Sequence, residues 1–210
     1  MALSPELITN VEDVLRYSLR RKFQTYNPEP SKMPFHTRLL GKDRVALFSF
    51  IHSLNTNFGT SIFEPVALAI SSSSFLSAES SHKAGEHISS EAQKAIQEIT
   101  DLKTAKPNVG SFKEFKRTLL EWVAVTLAVN PTADVQSLIA IPYNPYEPEP
   151  YNRWTMKGML DLNNELKVAD EFWDFLGCAD TYKDLLDVFE RIGIELRGEI
   201  DNYFARYNQQ

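Results

Sequence analysis

Three tripeptides in this chain pair an acid with a lysine two residues on: Asp101-Leu102-Lys103, Glu114-Phe115-Lys116 and Glu165-Leu166-Lys167. On a β-strand, residues i and i+2 point to one face, so an acid and a lysine in that spacing can reach one phosphate group. A second carboxylate from a neighbouring strand and the middle residue's carbonyl would complete a site for a divalent ion, and the lysine would orient or activate the attacking water. The chemistry such a pair serves is metal-assisted phosphodiester hydrolysis. Its requirement is a strand, because at 3.6 residues per turn a helix spreads i and i+2 by about 200°.

Local context separates the copies. Ser111 and Glu114 form a capping box that opens a helix, which puts Glu114 and Lys116 on diverging faces and removes the second copy. The third could lie on a strand with Asp161 across the Asn163-Asn164 turn, or simply be an exposed hairpin. The first is followed by Lys106, Asn108 and a helix start bearing Lys113, Lys116 and Arg117, which would place phosphate-holding donors and cations beside the metal. Against it stands the plainer possibility of a solvated, charged loop before a helix.

These residues need elements to hold them, and most of those are helices. Ser4-Pro5-Glu6 supplies a cap, a first-turn proline and an early acid ahead of Ile8, Val11, Val14 and Leu15, predicting a helix that reaches Phe23. Three prolines over 27–34 interrupt the pattern, and Val45, Phe48, Ile51 and Leu54 resume it over Asp43 to Asn57. Phe63 to Phe75 is expected to be buried and helical. Ser90 and Gln93 form a capping box before Ala92, Ala95, Ile96 and Ile99, with the helix ending near Thr100. In the next helix, Phe112, Phe115, Leu119, Trp122, Val123 and Thr126 share one side. Val135 to Tyr143 is the best strand candidate, Met159 to Leu162 and Glu165 to Ala169 flank a hairpin turn, and Glu171 to Leu176 and Tyr182 to Tyr207 are amphipathic helices.

Length and composition bound the possibilities. The 210 residues, 24% charged and 43% apolar, exclude a disordered tail, a collagen-like rod and a disulfide miniprotein. With no internal repeat, one continuous domain over 1–210 is expected. The single cysteine, Cys178, and the lack of a signal-peptide pattern over Met1 to Leu15 predict a reducing cytoplasmic setting, and no apolar run has the roughly 20 residues needed to span a bilayer. A net charge of −6 opposes nucleic-acid binding on its face, yet residues 1–117 hold 15 bases against 12 acids while 118–210 hold 7 against 16. A basic half could meet an acidic ligand while the acidic half faces solvent or another subunit.

The longer strings resemble a known family. Asp101-Leu102-Lys103-Thr104-Ala105-Lys106-Pro107-Asn108 with Phe112 to Trp122, the block Ile139 to Pro148 with Arg153-Trp154, Glu171 to Gly177, and Phe35 to Arg44 are together similar to the TdeIII-type family of type II restriction endonucleases, in the PD-(D/E)XK superfamily. The resemblance covers most of the chain. It implies an α/β fold with a restriction-endonuclease-like core, a small mixed sheet and many flanking helices. Residues 1–100 would form a helical part, 101–143 the catalytic core, and 144–210 a loop and C-terminal helices. The implied activity is Mg²⁺-dependent cleavage of double-stranded DNA by a homodimer, with a DNA methyltransferase as functional partner. Asp101 would bind the metal, Lys103 would position water, and Leu102 would lend its carbonyl. Lys106, Asn108, Lys113, Lys116 and Arg117 would contact DNA, as would Arg153 in the loop that follows Tyr143.

One departure from the superfamily pattern stands out. Its first metal-binding acid belongs on a strand before the Asp-x-Lys strand, but here a helix runs almost directly into Asp101, as in an internally shortened family member. Glu86, Glu91 and Glu98 are the substitutes within reach in sequence. A chain lacking that acid could bind DNA without cutting it, and a helical interaction protein is the remaining alternative. His36, His52, His82 and His87 show no zinc spacing with Cys178. Trp122 and Trp173 are expected in the core, and the basic group Arg16, Arg20, Arg21 and Lys22 is either a DNA-tracking stripe or a solvated helix face.

Overall fold

The computed structural model describes residues 3–26, 34–80, 83, 85–101, 110–151 and 160–205. In chain order these hold α1 (Pro5–Thr25), α2 (Pro34–Leu40), α3 (Lys42–Phe58), a π-helical turn (Gly59–Phe63), α4 (Glu64–Ser71), α5 (Ser90–Asp101), α6 (Gly110–Val129), β1 (Ile139–Ile141), β2 (Leu166–Val168), α7 (Asp170–Leu176), α8 (Thr181–Glu195) and α9 (Arg197–Ala205). They fall into two compact units, Met1–Ser80 with Trp173–Gln210, and Ser81–Phe172. No described helix is long and apolar enough to cross a membrane.

In the first unit, α1 begins where the sequence predicts. Ser4 Oγ accepts from the Leu7 N–H at 3.2 Å, and Pro5 takes the first helical position. Leu7, Ile8, Val11 and Leu15 turn one face of α1 inward, and α1 packs on α4 and α8. The core there is Val66 and Ile70 of α4, Leu185, Val188 and Ile192 of α8, Leu196 and Trp173. Towards the far end of α1, Phe23 stacks on Phe50 of α3 at 5.4 Å, Phe204 of α9 meets Phe50 edge-on at 5.3 Å, and the Tyr203 hydroxyl donates to the Tyr26 carbonyl at 2.8 Å. Aromatic pairs of this kind contribute about 0.5–1.5 kcal/mol each beyond their burial.

Two of these helices are shorter than their periodicity predicts. The helix expected over Phe63 to Phe75 stops at Ser71, because Ser71, Ser72 and Ser73 each turn their hydroxyl back onto a carbonyl three or four residues earlier, all at 2.7 Å. The stretch Tyr182 to Tyr207 is two helices. They divide at the fully buried Leu196, just before the weak helix former Gly198.

In the second unit, α5 packs on α6 and β1 pairs with β2. The cap of α5 is Ser89 and not Ser90: Ser89 Oγ accepts from the Ala92 N–H at 3.1 Å, while Ser90 Oγ donates to Glu91. A Cβ on Gly85 would lie 2.5 Å from Val125 Cγ1, so only glycine lets the chain pass this close to α6. Regular strand is confined to Ile139–Ile141 within the predicted 135–143 run. Among the described residues the sheet is two-stranded and parallel, with Ile139 opposite Leu166 and Ile141 opposite Val168. Asn163-Asn164 does form a turn, closed by Glu165 N–H to Asp161 O at 2.7 Å. It delivers β2 into parallel pairing with β1, whereas a hairpin reading would return the chain antiparallel. The connecting residues 142–165 supply the crossover that parallel strands need.

Candidate active site

The structure carries α5 in helical form up to and including Asp101. The residues on its N-terminal side are therefore helix, not the strand and turn from which a first metal-binding acid would project. The Asp101 side chain lies outside the described residues, as do Lys103, Lys106, Asn108, Arg153 and the Glu98 side chain. Of the alternative acids, Glu86 is held by Lys83 at 2.5 Å. The Glu91 carboxyl sits below its usual range because its own backbone N–H and the Ser90 hydroxyl bond to it. Among the described residues, no group of three or more His, Cys, Asp or Glu could hold a metal ion.

From Gly110 onward, α6 presents the expected cations in its first half. Arg117 Nε reaches Glu121 Oε1 one turn on at 2.8 Å, with both side chains partly exposed. Lys113 is half-buried. Lys116 is placed differently, with its ammonium bonded to Glu165 Oε1 and both side chains mostly covered. The other carboxylate oxygen of Glu165 accepts the Asp161 N–H at 2.8 Å. The second and third tripeptides thus meet through one residue of each.

The third copy comes nearest to the backbone requirement. Lys167 lies on β2 between the buried Leu166 and Val168, while Glu165 sits in the bend that leads into the strand. Its acid is nevertheless already neutralised by Lys116. Asp161, the proposed partner acid, turns its carboxylate onto the Asn164 amide at 2.7 Å and the Asn163 N–H at 3.1 Å, and these bonds hold it below the usual carboxylate range. That arrangement builds a turn. Periodicity carries no signal for the Lys116–Glu165 pair, whose members are 49 positions apart.

The two tryptophans expected inside divide. Trp173 is 2% exposed and packs near Phe63 in the first unit, while Trp122 on α6 is 57% exposed, as is much of Phe115. The face of α6 shared by Phe115, Leu119 and Trp122 is buried only at Leu119. The basic group on α1 also divides. Arg16 is bound by Glu12, Asp13 and Glu195, and Arg20 by Glu199.

The family model for "Type II restriction endonuclease, HinfI" matches residues 3–102 and, in a second stretch, 99–193. The chain belongs to that family. In this family member the two matched stretches meet at 99–102, where α5 ends on Asp101. It is similar to the type II restriction enzyme HgiCII of Herpetosiphon aurantiacus, 29% identical over 102 residues that make up 48% of this chain and 37% of that one. HgiEI of the same organism is 28% identical over 102 residues, 48% of this chain and 36% of the relative. MjaII of Methanocaldococcus jannaschii is 30% identical over 105 residues, 45% and 28% of the two chains. The family member thus matches about a third of the length of these curated relatives. No solved structure matches it.

Proposed function

We propose that this chain is a TdeIII-type type II site-specific deoxyribonuclease, hydrolysing phosphodiester bonds in both strands of double-stranded DNA. The observation that carries the reading is the restriction-endonuclease family match extending from residue 3 to residue 193. The active form would be a cytoplasmic homodimer, since a two-fold DNA site calls for a two-fold protein, with a DNA methyltransferase protecting the host sequence. Residues 1–210 would act as one restriction-endonuclease-like domain.

The Asp101 carboxylate and Leu102 carbonyl would hold Mg²⁺, for which hard oxygen donors are the fitting chemistry. When bound, the ion supplies positive charge at the scissile phosphate. Lys103 would hold the attacking water in line. Lys106, Asn108, Lys113 and Arg117 would bind phosphate oxygens, fixing the strand and offsetting charge that develops on the phosphoryl group, while Lys116 could join them only by giving up Glu165. Arg153 would approach the groove, where an arginine can bond guanine through two donors.

A second reading draws support from the junction at Asp101. Helix α5 runs directly into Asp101 where a strand bearing a first acid would be expected, and an internally shortened chain lacking that acid would bind DNA without cutting it. Digestion of unmethylated plasmid by the purified protein with Mg²⁺ separates the two. Cleavage that disappears in Lys103→Ala supports the nuclease; salt-sensitive binding without cleavage supports the remnant; absence of DNA binding at low salt overturns both in favour of a helical interaction protein.

A further inference from the structure

One face of α1 opens onto a groove of about 530 Å³, walled on the other side by α3, the π-helical turn and the start of α4. Two cations, Arg21 and Lys22, line it, and none of its described lining residues is acidic, in a chain with 28 acids against 22 bases. The contrast with their neighbours is sharp. Arg16 and Arg20 are each neutralised by a glutamate from α8 or α9, whereas Arg21 is exposed and has no side-chain partner among the described residues. Among the described residues the Lys22 ammonium meets the Ser53 hydroxyl at 2.6 Å and the Tyr26 ring at 4.9 Å. Burial holds that ammonium below the ordinary lysine value.

The groove is also graded along its length. Lys22 faces Ser53 of α3, and the Ser18 hydroxyl donates to the Ser61 carbonyl at 2.8 Å, so the α3-to-α4 wall runs antiparallel to α1. Its cationic end therefore lies at Arg21 and Lys22, and its other end is apolar, formed by Val14, Ile62 and Pro65 beside the ring of Tyr17. The hydroxyls of Tyr17 and Thr60 have no side-chain partner among the described residues. The π-helical turn at this wall is a distortion that recurs at functional sites. A small-molecule site typically occupies about 300–1,000 Å³ and combines an apolar body with a few polar groups.

We propose that this groove binds a nucleoside monophosphate. The phosphate would sit on Arg21 and Lys22, where two cations suit a dianion. The flat base would lie between the Tyr17 ring and the Val14–Ile62–Pro65 surface, with the Thr60 hydroxyl free to bond the sugar or phosphate. The site stands apart from the nuclease reading and does not rest on it.

The test is calorimetric titration of the full chain, without divalent metal, using adenosine 5′-monophosphate, adenosine and inorganic phosphate. The monophosphate should bind at least tenfold more tightly than either fragment, and Arg21→Gln should weaken it at least tenfold. Because the Arg21 side chain is exposed and makes no hydrogen bond or ion pair with described residues, the thermal melt of that variant should match the parent; Lys22→Gln, checked the same way, should weaken binding similarly. Absence of binding at millimolar ligand overturns the proposal, as does an affinity untouched by Arg21→Gln. Phosphate binding as tightly as the nucleotide would make this a bare anion site and overturn it too. A single-stranded pentanucleotide that displaces the monophosphate at far lower concentration, with the same dependence on Arg21, would replace the free nucleotide by a strand. Omitting metal keeps a failure here distinct from a failure of plasmid cleavage.

Discussion

Lys116 of α6 and Glu165, the residue leading into β2, form an ion pair whose side chains are only 13% and 18% exposed. The pair joins helix to sheet in the second unit, and Glu165 also accepts the Asp161 N–H at the turn. Removing one member strands a mostly covered charge. Lys116→Ala or Glu165→Ala should each cost about 1–3 kcal/mol in urea unfolding, while the apolar double variant Lys116→Met/Glu165→Leu should recover most of that loss. Single variants as stable as the parent would show that the pair contributes nothing. Any loss of DNA binding in Lys116→Ala must accordingly be measured on a sample shown to be folded.

The glutamates that clasp α1 make the first unit sensitive to acid. The Arg16 guanidinium's bond to Glu195, and Arg20's to Glu199, hold both carboxyls below their usual range. A depressed carboxyl stabilises the fold above its unfolded value and loses that contribution as pH falls through the folded one. The melting temperature of Glu195→Gln/Glu199→Gln should therefore lie below the parent's at neutral pH, and the gap should close on acidification. Salt should narrow it as well, since both pairs are exposed. A gap that stays constant from neutral pH down to pH 3 would refute this account.

The two tryptophans should answer substitution very differently. Trp173→Ala empties a site that is 2% exposed and should destabilise by about 3–5 kcal/mol. Trp122→Ala, on a side chain 57% exposed, should stay within about 0.5 kcal/mol. Denaturant curves on the two variants decide it, with equal losses arguing that Trp122 is covered in solution.

If α6 holds the DNA backbone, Lys113→Gln/Arg117→Gln should weaken binding alike on every sequence. It should also reduce the slope of log affinity against log salt by about 2, near one unit per lost phosphate contact. Binding isotherms across a salt series give the slope. An unchanged slope would remove both residues from the interface.

Much of the helical framework is legible in local chemistry. The Ser4-Pro5 start of α1, the periodic apolar residues of α3 and the turn at Asn163-Asn164 need only neighbours a few positions away. Small local competitions explain the misjudged boundaries: Ser89 reaches the α5 cap position before Ser90, and back-bonding serines end α4 early. Membership of a type II restriction endonuclease family is legible in the sequence too, while the TdeIII-type assignment within it belongs to the proposal.

The sequence by itself determined most of the helical segments, though not α2, and showed that an Asp-x-Lys string begins where α5 ends. Tertiary structure alone decided that Lys116 goes to Glu165, that Glu195 and Glu199 come to Arg16 and Arg20 from 179 positions away, that β2 pairs in parallel, and that Arg21 is left facing a groove. Helix formation is governed by contacts within one turn, which periodicity records. The fate of a long charged or aromatic side chain depends on which distant surface arrives beside it, and nothing in its local sequence specifies that.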